Sequence, residues 1–243
     1  MKYKKEVLKL SRRMRLISIN KNYLEVQAKY GPSKIVKLPL KINKNLSCFT
    51  AVIIGDGHLC YDKFRITVES CNKELLSILS EMVLSLFNIK TSIKEVKKRE
   101  GKIQTYHLSI YSKAVFELLN IIFDIRRGKK SSIVRIPKQI IKGNKCFYSP
   151  FIIGLLIAEG SRKGKKEVRI CSASKRLLED IKIMLERINI SSKIESWFNK
   201  KYKKEYYSIS FKRIYLNSLM RECRSGQTGQ ILSIFKKIIE DQA

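Results

Sequence analysis

The sequence predicts an α+β fold in which one unit of helix, two strands, helix, two strands and helix is written twice along the chain. Three observations predict it. The apolar segment Phe49 to Gly57 (FTAVIIGDG) returns as Ile152 to Gly160 (IIGLLIAEG), each ending in a small residue, an acid and a glycine. Ahead of each stands a matching lead-in, Ile35-Val36-Lys37-Leu38-Pro39 and Ile133-Val134-Arg135-Ile136-Pro137. Behind each the hydrophobic period changes from helical to alternating.

Taken in order, residues 1–33 have no counterpart in the second half and form a basic N-terminal extension. Within it, Tyr23 to Ser33 (YLEVQAKYGPS) allows two readings. One is the first helix and turn of a helix-turn-helix, although the recognition helix would then collide with Pro39; the other is a plain capping extension. The first repeat and its linker are assigned to 34–130, and the second repeat with a C-terminal helix to 131–243.

After each apolar helix, Phe64, Ile66 and Val68 alternate with Arg65, Thr67 and Glu69, as Val168 and Ile170 do with Arg169 and Cys171, the pattern of a half-buried strand. Two similar helix openings follow, Ser70 to Leu76 and Ser172 to Leu178, with Asn72 and Ser174 placed to cap helices reaching about Phe87 and Ile188. Charged hairpins come next. Lys90 to Lys98 turns at Glu100-Gly101 into Gln104 to Ser112, and Ser192 to Lys200 turns into Glu205 to Lys212. Each repeat closes with a helix, Lys113 to Phe123 and Arg213 to Met220. The basic segment Arg126 to Ser132 joins the repeats, and Gly226 to Ala243 adds a final helix after a glycine break.

Composition narrows the partner. The 243 residues carry 51 Lys and Arg against 21 Asp and Glu, a formal charge of +30 that calls for a polyanion. No apolar run of transmembrane length and no signal-peptide pattern is present, so nucleic acid is favoured over a membrane, in an intracellular, cytoplasmic, nucleoid-associated protein. Six cysteines without CxxC spacing and two histidines, His58 and His107, argue against structural zinc and a disulfide framework.

The chemistry lies at the ends of the apolar helices. Ala51 with Gly55, and Gly154 with Ala158, make strips of small side chains along one face, so two such helices can pack closely in parallel. That packing would bring Asp56 and Glu159 together. A carboxylate at a helix C-terminus meets the negative end of the helix dipole, and two carboxylates repel, so a divalent cation held by carboxylates and backbone carbonyls is the natural compensation. Metal-assisted phosphodiester hydrolysis then follows. The alternative for either motif alone is a buried core helix whose acid caps a loop.

FTAVIIGDG and IIGLLIAEG resemble the motifs of the LAGLIDADG homing endonucleases, in particular the monomeric kind with two repeats fused in one polypeptide, over about Ile35 to Met220. Phe151 to Met220 looks especially like archaeal single-chain members. The resemblance implies a pseudo-twofold core of the two motif helices and two four-stranded antiparallel sheets forming a saddle over the DNA major groove. It also implies Mg²⁺ (or Mn²⁺) as cofactor, double-stranded DNA as substrate and a gene carried in an intron or intein. Asp56 and Glu159 match the family's metal-binding acids, and the carbonyls of Gly55 and Ala158 match the accompanying backbone ligands.

One departure bears on catalysis. Where family members often carry Gln and Lys near the end of the second strand, this chain has Ser70 with Cys71 and Ser172 with Ala173, which supply no cation. Lys73, Arg162 and Lys175 are the available phosphate contacts. Arg65, Thr67, Glu69, Lys94, Arg169, Lys193 and Glu195 alternate opposite apolar neighbours and are the candidates for DNA-groove contacts. Lys97-Lys98-Arg99 suits phosphate or solvent. The competing functions are a non-cleaving DNA-binding regulator, an RNA-binding maturase acting on intron RNA, and a basic structural protein.

Overall fold

The computed structural model describes residues 2–30, 34–61, 63–96, 104–223 and 227–241. They form two compact units, Met1–Leu46 with Asp56–Gly128, and Ser47–Gly55 with Lys129–Ala243.

The first unit opens with helix α1 (Lys2–Ser11) and strands β1 (Arg15–Ile19), β2 (Tyr23–Gln27) and β3 (Val36–Pro39), which make a three-stranded antiparallel sheet in that order. Tyr23 to Gln27 is therefore strand, and the helix-turn-helix reading fails. The reason is the two-residue period: Leu24 and Val26 are fully buried while Tyr23, Glu25 and Gln27 are half-exposed, and Leu24 pairs with Leu38 and Val26 with Val36.

Helix α2 (Lys44–Gly55) carries the first apolar motif, and its last nine residues belong to the second unit. The first unit resumes with β4 (Gly57–Leu59), β5 (Arg65–Ser70), α3 (Lys73–Phe87), β6 (Ser92–Val96), β7 (Thr105–Tyr111) and α4 (Lys113–Glu117), which continues as a π-helical turn over Leu118–Ile122. The sheet runs β4-β5-β7-β6, antiparallel throughout. Its buried face presents Ile66, Val68, Leu108 and Ile110, and α3 covers it with Leu75, Leu76, Leu79, Met82, Val83 and Phe87.

The second unit repeats the plan. Lys138–Ile141 (α5) and a short turn precede α6 (Tyr148–Glu159), then β8 (Gly160–Lys163), β9 (Glu167–Ser172), α7 (Lys175–Arg187), β10 (Ser192–Asn199), β11 (Lys204–Lys212), α8 (Tyr215–Glu222) and α9 (Gln227–Asp241). The sheet order β8-β9-β11-β10 is the order of the first sheet. Buried Val168, Ile170, Ile209 and Phe211 face α7, while α8 and α9 pack on α6.

The expected caps form: Asn72 Oδ1 accepts from Leu75 N at 3.0 Å and Ser174 Oγ from Leu177 N at 3.3 Å. Both helices end at an asparagine in the left-handed region, Asn88 (φ 58°) and Asn189 (φ 61°), a repeated stop signal. The Lys97-Lys98-Arg99 run and the Glu100-Gly101 turn lie outside the described residues, as does Gly226.

Candidate functional site

The last nine residues of α2 lie against α6 inside the second unit. A Cβ added at Gly55 would stand 2.5 Å from the Ala158 Cβ, and one at Gly154 would stand 2.8 Å from the Ala51 Cβ and meet the Cys48 carbonyl oxygen. Ala51 thus faces Gly154 while Gly55 faces Ala158. Both contacts advance in the same direction, so the helices run parallel with the small-residue strips interlocked, as their four-residue spacing predicts. Ser47 Oγ adds a hydrogen bond of 2.8 Å to the Phe147 carbonyl at the other end of the seam.

Parallel packing gathers the C-terminal chemistry of both helices. Glu159 is the last residue of α6 and half-buried; burial pushes its carboxyl above the usual carboxylate range, and the charge of Lys130 opposes that rise. Lys130 is itself buried. Its ammonium donates to the Ile54 carbonyl at 2.8 Å and the Gly55 carbonyl at 3.2 Å, the orphan acceptors of the last turn of α2. Asp56, in the first unit, is a half-buried turn residue between α2 and β4.

Gly160 departs from the conformation expected of a residue after a helix. It is extended (φ −82°, ψ 149°), and glycine is required because a Cβ would strike the Leu156 carbonyl oxygen.

Oxygen donors, two backbone carbonyls and a carboxylate, match a hard divalent cation. Among the described residues no three His, Cys, Asp or Glu side chains cluster as a metal site.

The groove candidates occupy the open sheet faces. Arg65 and Thr67 are half-buried and Glu69 exposed, opposite buried Ile66 and Val68. Arg65 Nε donates to Cys60 Sγ at 3.2 Å, and His107 Nε2 lies 2.9 Å from Glu69 Oε2. Lys94 is exposed and pairs in register with His107, and exposed His58 pairs with Thr67. On the second sheet Arg169 Nε donates to Ser161 Oγ at 3.0 Å. Glu195 receives Lys163 at 2.6 Å and Lys193 at 3.1 Å, which together hold its carboxyl below the usual range. Of the phosphate candidates, Lys73 and Lys175 are exposed, Lys73 standing 5.7 Å from the Tyr106 ring centre, while Arg162 donates to the Gly164 carbonyl at 2.8 Å.

Two residues that sequence reasoning passed over matter here. Lys130 was one cation among several in the Arg126 to Ser132 linker, and nothing local distinguishes it. Lys163 had one signal, the acid Glu195 on a strand of a predominantly basic hairpin.

A family model described as a LAGLIDADG-like domain matches residues 45–120 and again 147–225, each copy spanning one motif helix and the sheet after it. The chain belongs to the LAGLIDADG-like domain family. Two solved homing endonucleases share the fold of this family member. I-DmoI, in complex with DNA and calcium, aligns with a TM-score of 0.54 at 20% identity over 73% of this chain and 90% of its own. I-WcaI, bound to its DNA recognition sequence, aligns with a TM-score of 0.53 at 14% identity over 74% and 80%. Among curated proteins, a probable translation initiation factor IF-2 of Methanocaldococcus jannaschii is 27% identical over 233 residues, 85% of this chain and 19% of that protein. The replication factor C small subunit of the same organism is 29% identical over 167 residues, 69% of this chain and 9% of that protein. The chain therefore spans less than a fifth of the curated relatives it matches. No helix of the described residues is long and apolar enough to cross a membrane.

Proposed function

We propose that the chain is a sequence-specific, divalent-metal-dependent endonuclease of double-stranded DNA, of the homing kind. The observation that carries this reading is the duplication itself: two glycine-notched helices, each ending in an acid, each followed by the same sheet order, in a chain of charge +30. Homing endonucleases of the same fold in complex with DNA support it.

In this reading Asp56 and Glu159 hold the ions, with the Gly55 and Ala158 carbonyls completing the protein's share of the ligands. A bound Mg²⁺ or Mn²⁺ would activate water and neutralise charge on the departing oxygen. The exposed faces do the reading: Arg65, Thr67, Glu69 and Lys94 from one sheet, Arg169, Lys193 and Glu195 from the other. Lys73, Arg162 and Lys175 position phosphates, and the net charge makes binding fall steeply with salt.

The relatives suggest how such a gene travels. An initiation factor, a replication factor subunit, an elongation factor and an RNA polymerase subunit do unrelated work, yet each contains a segment like this chain amounting to 9–19% of its length. What these proteins share is that segment, and a mobile element that spreads by cutting empty sites would account for its presence in proteins of unrelated function. Carriage within protein-coding frames is the form this pattern supports.

The test is to incubate the purified chain with its own gene's uninterrupted insertion site and Mg²⁺. Double-strand cuts that vanish in Asp56→Asn and Glu159→Gln would support the nuclease; tight binding without cuts would move the chain to the non-cleaving regulators, and preference for host RNA to the maturases. The non-cleaving reading has two observations in its favour: the Lys130 ammonium already occupies the Gly55 carbonyl, and Ser70-Cys71 and Ser172-Ala173 offer no cation.

A further inference from the structure

Lys130 is a lysine that the proposed chemistry does not use, and among the described residues it is the buried one. A buried ammonium is unfavourable unless oxygen surrounds it. It finds that oxygen at the last turn of α2, where the Ile54 and Gly55 carbonyls have no helical N–H to accept and carry the negative end of the helix dipole. Its charge also reaches Glu159, where it works against the effect of burial. The Glu159 side chain also lies beside Gly55, its Cγ 3.1 Å from where a Cβ on that glycine would stand, so two carbonyl oxygens and a neighbouring carboxylate offer the oxygen donors that suit a hard divalent cation.

We propose that Lys130 is a resident cation at this donor set, so that a divalent ion takes the Gly55 carbonyl only when the ammonium leaves it. This rests on the reading of Gly55 and Glu159 as metal ligands. A lysine suits the task because its charge is compact and its stem is flexible, so the head can withdraw while the backbone stays in place. An ammonium and a divalent ion on one carbonyl would repel at close range in a poorly screened site, so occupancy alternates. Lys130 is thereby a positioning residue, keeping the carbonyls and Glu159 ordered without metal and setting the ion concentration at which metal enters.

A lysine that only caps α2 would leave metal affinity unchanged when its charge is removed. The test is calcium binding by calorimetry to the full chain, comparing wild type with Lys130→Gln, which retains a donor for the carbonyls, and Lys130→Met, which retains only the stem. Both variants are expected to bind Ca²⁺ roughly tenfold more tightly than wild type, the scale on which groups behind the ligands change metal affinity. Ca²⁺ should also raise their melting temperatures more than it raises that of wild type, and adding Glu159→Gln should remove the gain. Should Lys130→Met not fold, Lys130→Gln decides. Affinity equal to or weaker than wild type, or no binding by either variant, would overturn the proposal. Cleavage of DNA by wild type with unchanged Ca²⁺ affinity in Lys130→Gln would sink the resident cation and leave the nuclease; tighter Ca²⁺ binding without cleavage by any form would do the reverse.

Discussion

In the first repeat the lead-in from Ile35 to Pro39 forms a strand over Val36–Pro39, and in the second the matching Ile133 to Pro137 forms none. The first lead-in pairs with β2, with Lys37 set 4.8 Å from the centre of the Tyr23 ring. Among the described residues the second pairs with no strand and is pinned instead. Arg135 reaches Asp180 of α7 through Nε at 3.1 Å and Nη2 at 2.8 Å, the Ile136 N–H donates to the same carboxylate at 3.2 Å, and Ser174 Oγ donates to the Val134 carbonyl at 2.7 Å. The first repeat carries buried Ile78 where the second carries Asp180. One restraint is thus met by a hydrogen-bond ladder where the N-terminal extension supplies a partner, and by a buried carboxylate where none is present. The extension is a structural element of the first repeat.

The largest predicted effect strikes what only the second unit contains, the helix seam. Gly154→Ala should destabilise by about 3 kcal/mol in denaturant melts because its methyl meets main chain and Ala51, whereas Gly164→Ala, strained at φ +60° but with open space around it, should lose only about 1 kcal/mol. Next come the two lead-ins, each broken through its own support. Leu24→Ala should cost about 3 kcal/mol by emptying a fully buried site on β2 next to Leu38 of β3. Arg135→Ala should cost about 2 kcal/mol by leaving Asp180 buried with one N–H, while the positional equivalent Lys37→Ala should stay within about 0.5 kcal/mol. Equal losses for Arg135 and Lys37 would erase the distinction between the repeats.

Smaller changes are expected at the caps: Asn72→Ala should lose about 1 kcal/mol for its cap bond alone, and Ser174→Ala about 2 kcal/mol, since Ser174 Oγ makes the same cap bond and also donates to the buried Val134 carbonyl. The smallest is a pH effect at Glu159. Its carboxyl titrates above the ordinary range, so the folded chain holds that proton more tightly than the unfolded one, and ionisation weakens the fold as pH rises through that window. Glu159→Gln should therefore gain stability over wild type at about pH 8, with the gap closing towards about pH 4, where the unfolded carboxyl is also protonated. A gap that widens on acidification would contradict the burial of Glu159.

Much of the repeat was legible because its signals are local. Alternation placed Ile66, Val68, Leu108 and Ile110 on one face, and a capping residue before a helical run marked Asn72 and Ser174. The N-terminal sheet was harder: Leu24 and Val26 show the right period, but five residues of alternation compete with other readings until Leu38 and Val36 are known to lie opposite them. The lead-ins misled differently, since Ile-Val-Lys-Leu-Pro and Ile-Val-Arg-Ile-Pro read alike and only their neighbours decide which becomes a strand.

The chain alone determined the duplication, the parallel seam through Ala51, Gly55, Gly154 and Ala158, and the acids that end its helices, because these follow from residue spacing within a dozen positions. Tertiary structure alone decided that Asp180 holds the second lead-in and that Lys130 bonds the Ile54 and Gly55 carbonyls. Those partners lie 45 or more positions apart in sequence, and no periodicity links a buried charge to the distant oxygens that make its burial tolerable.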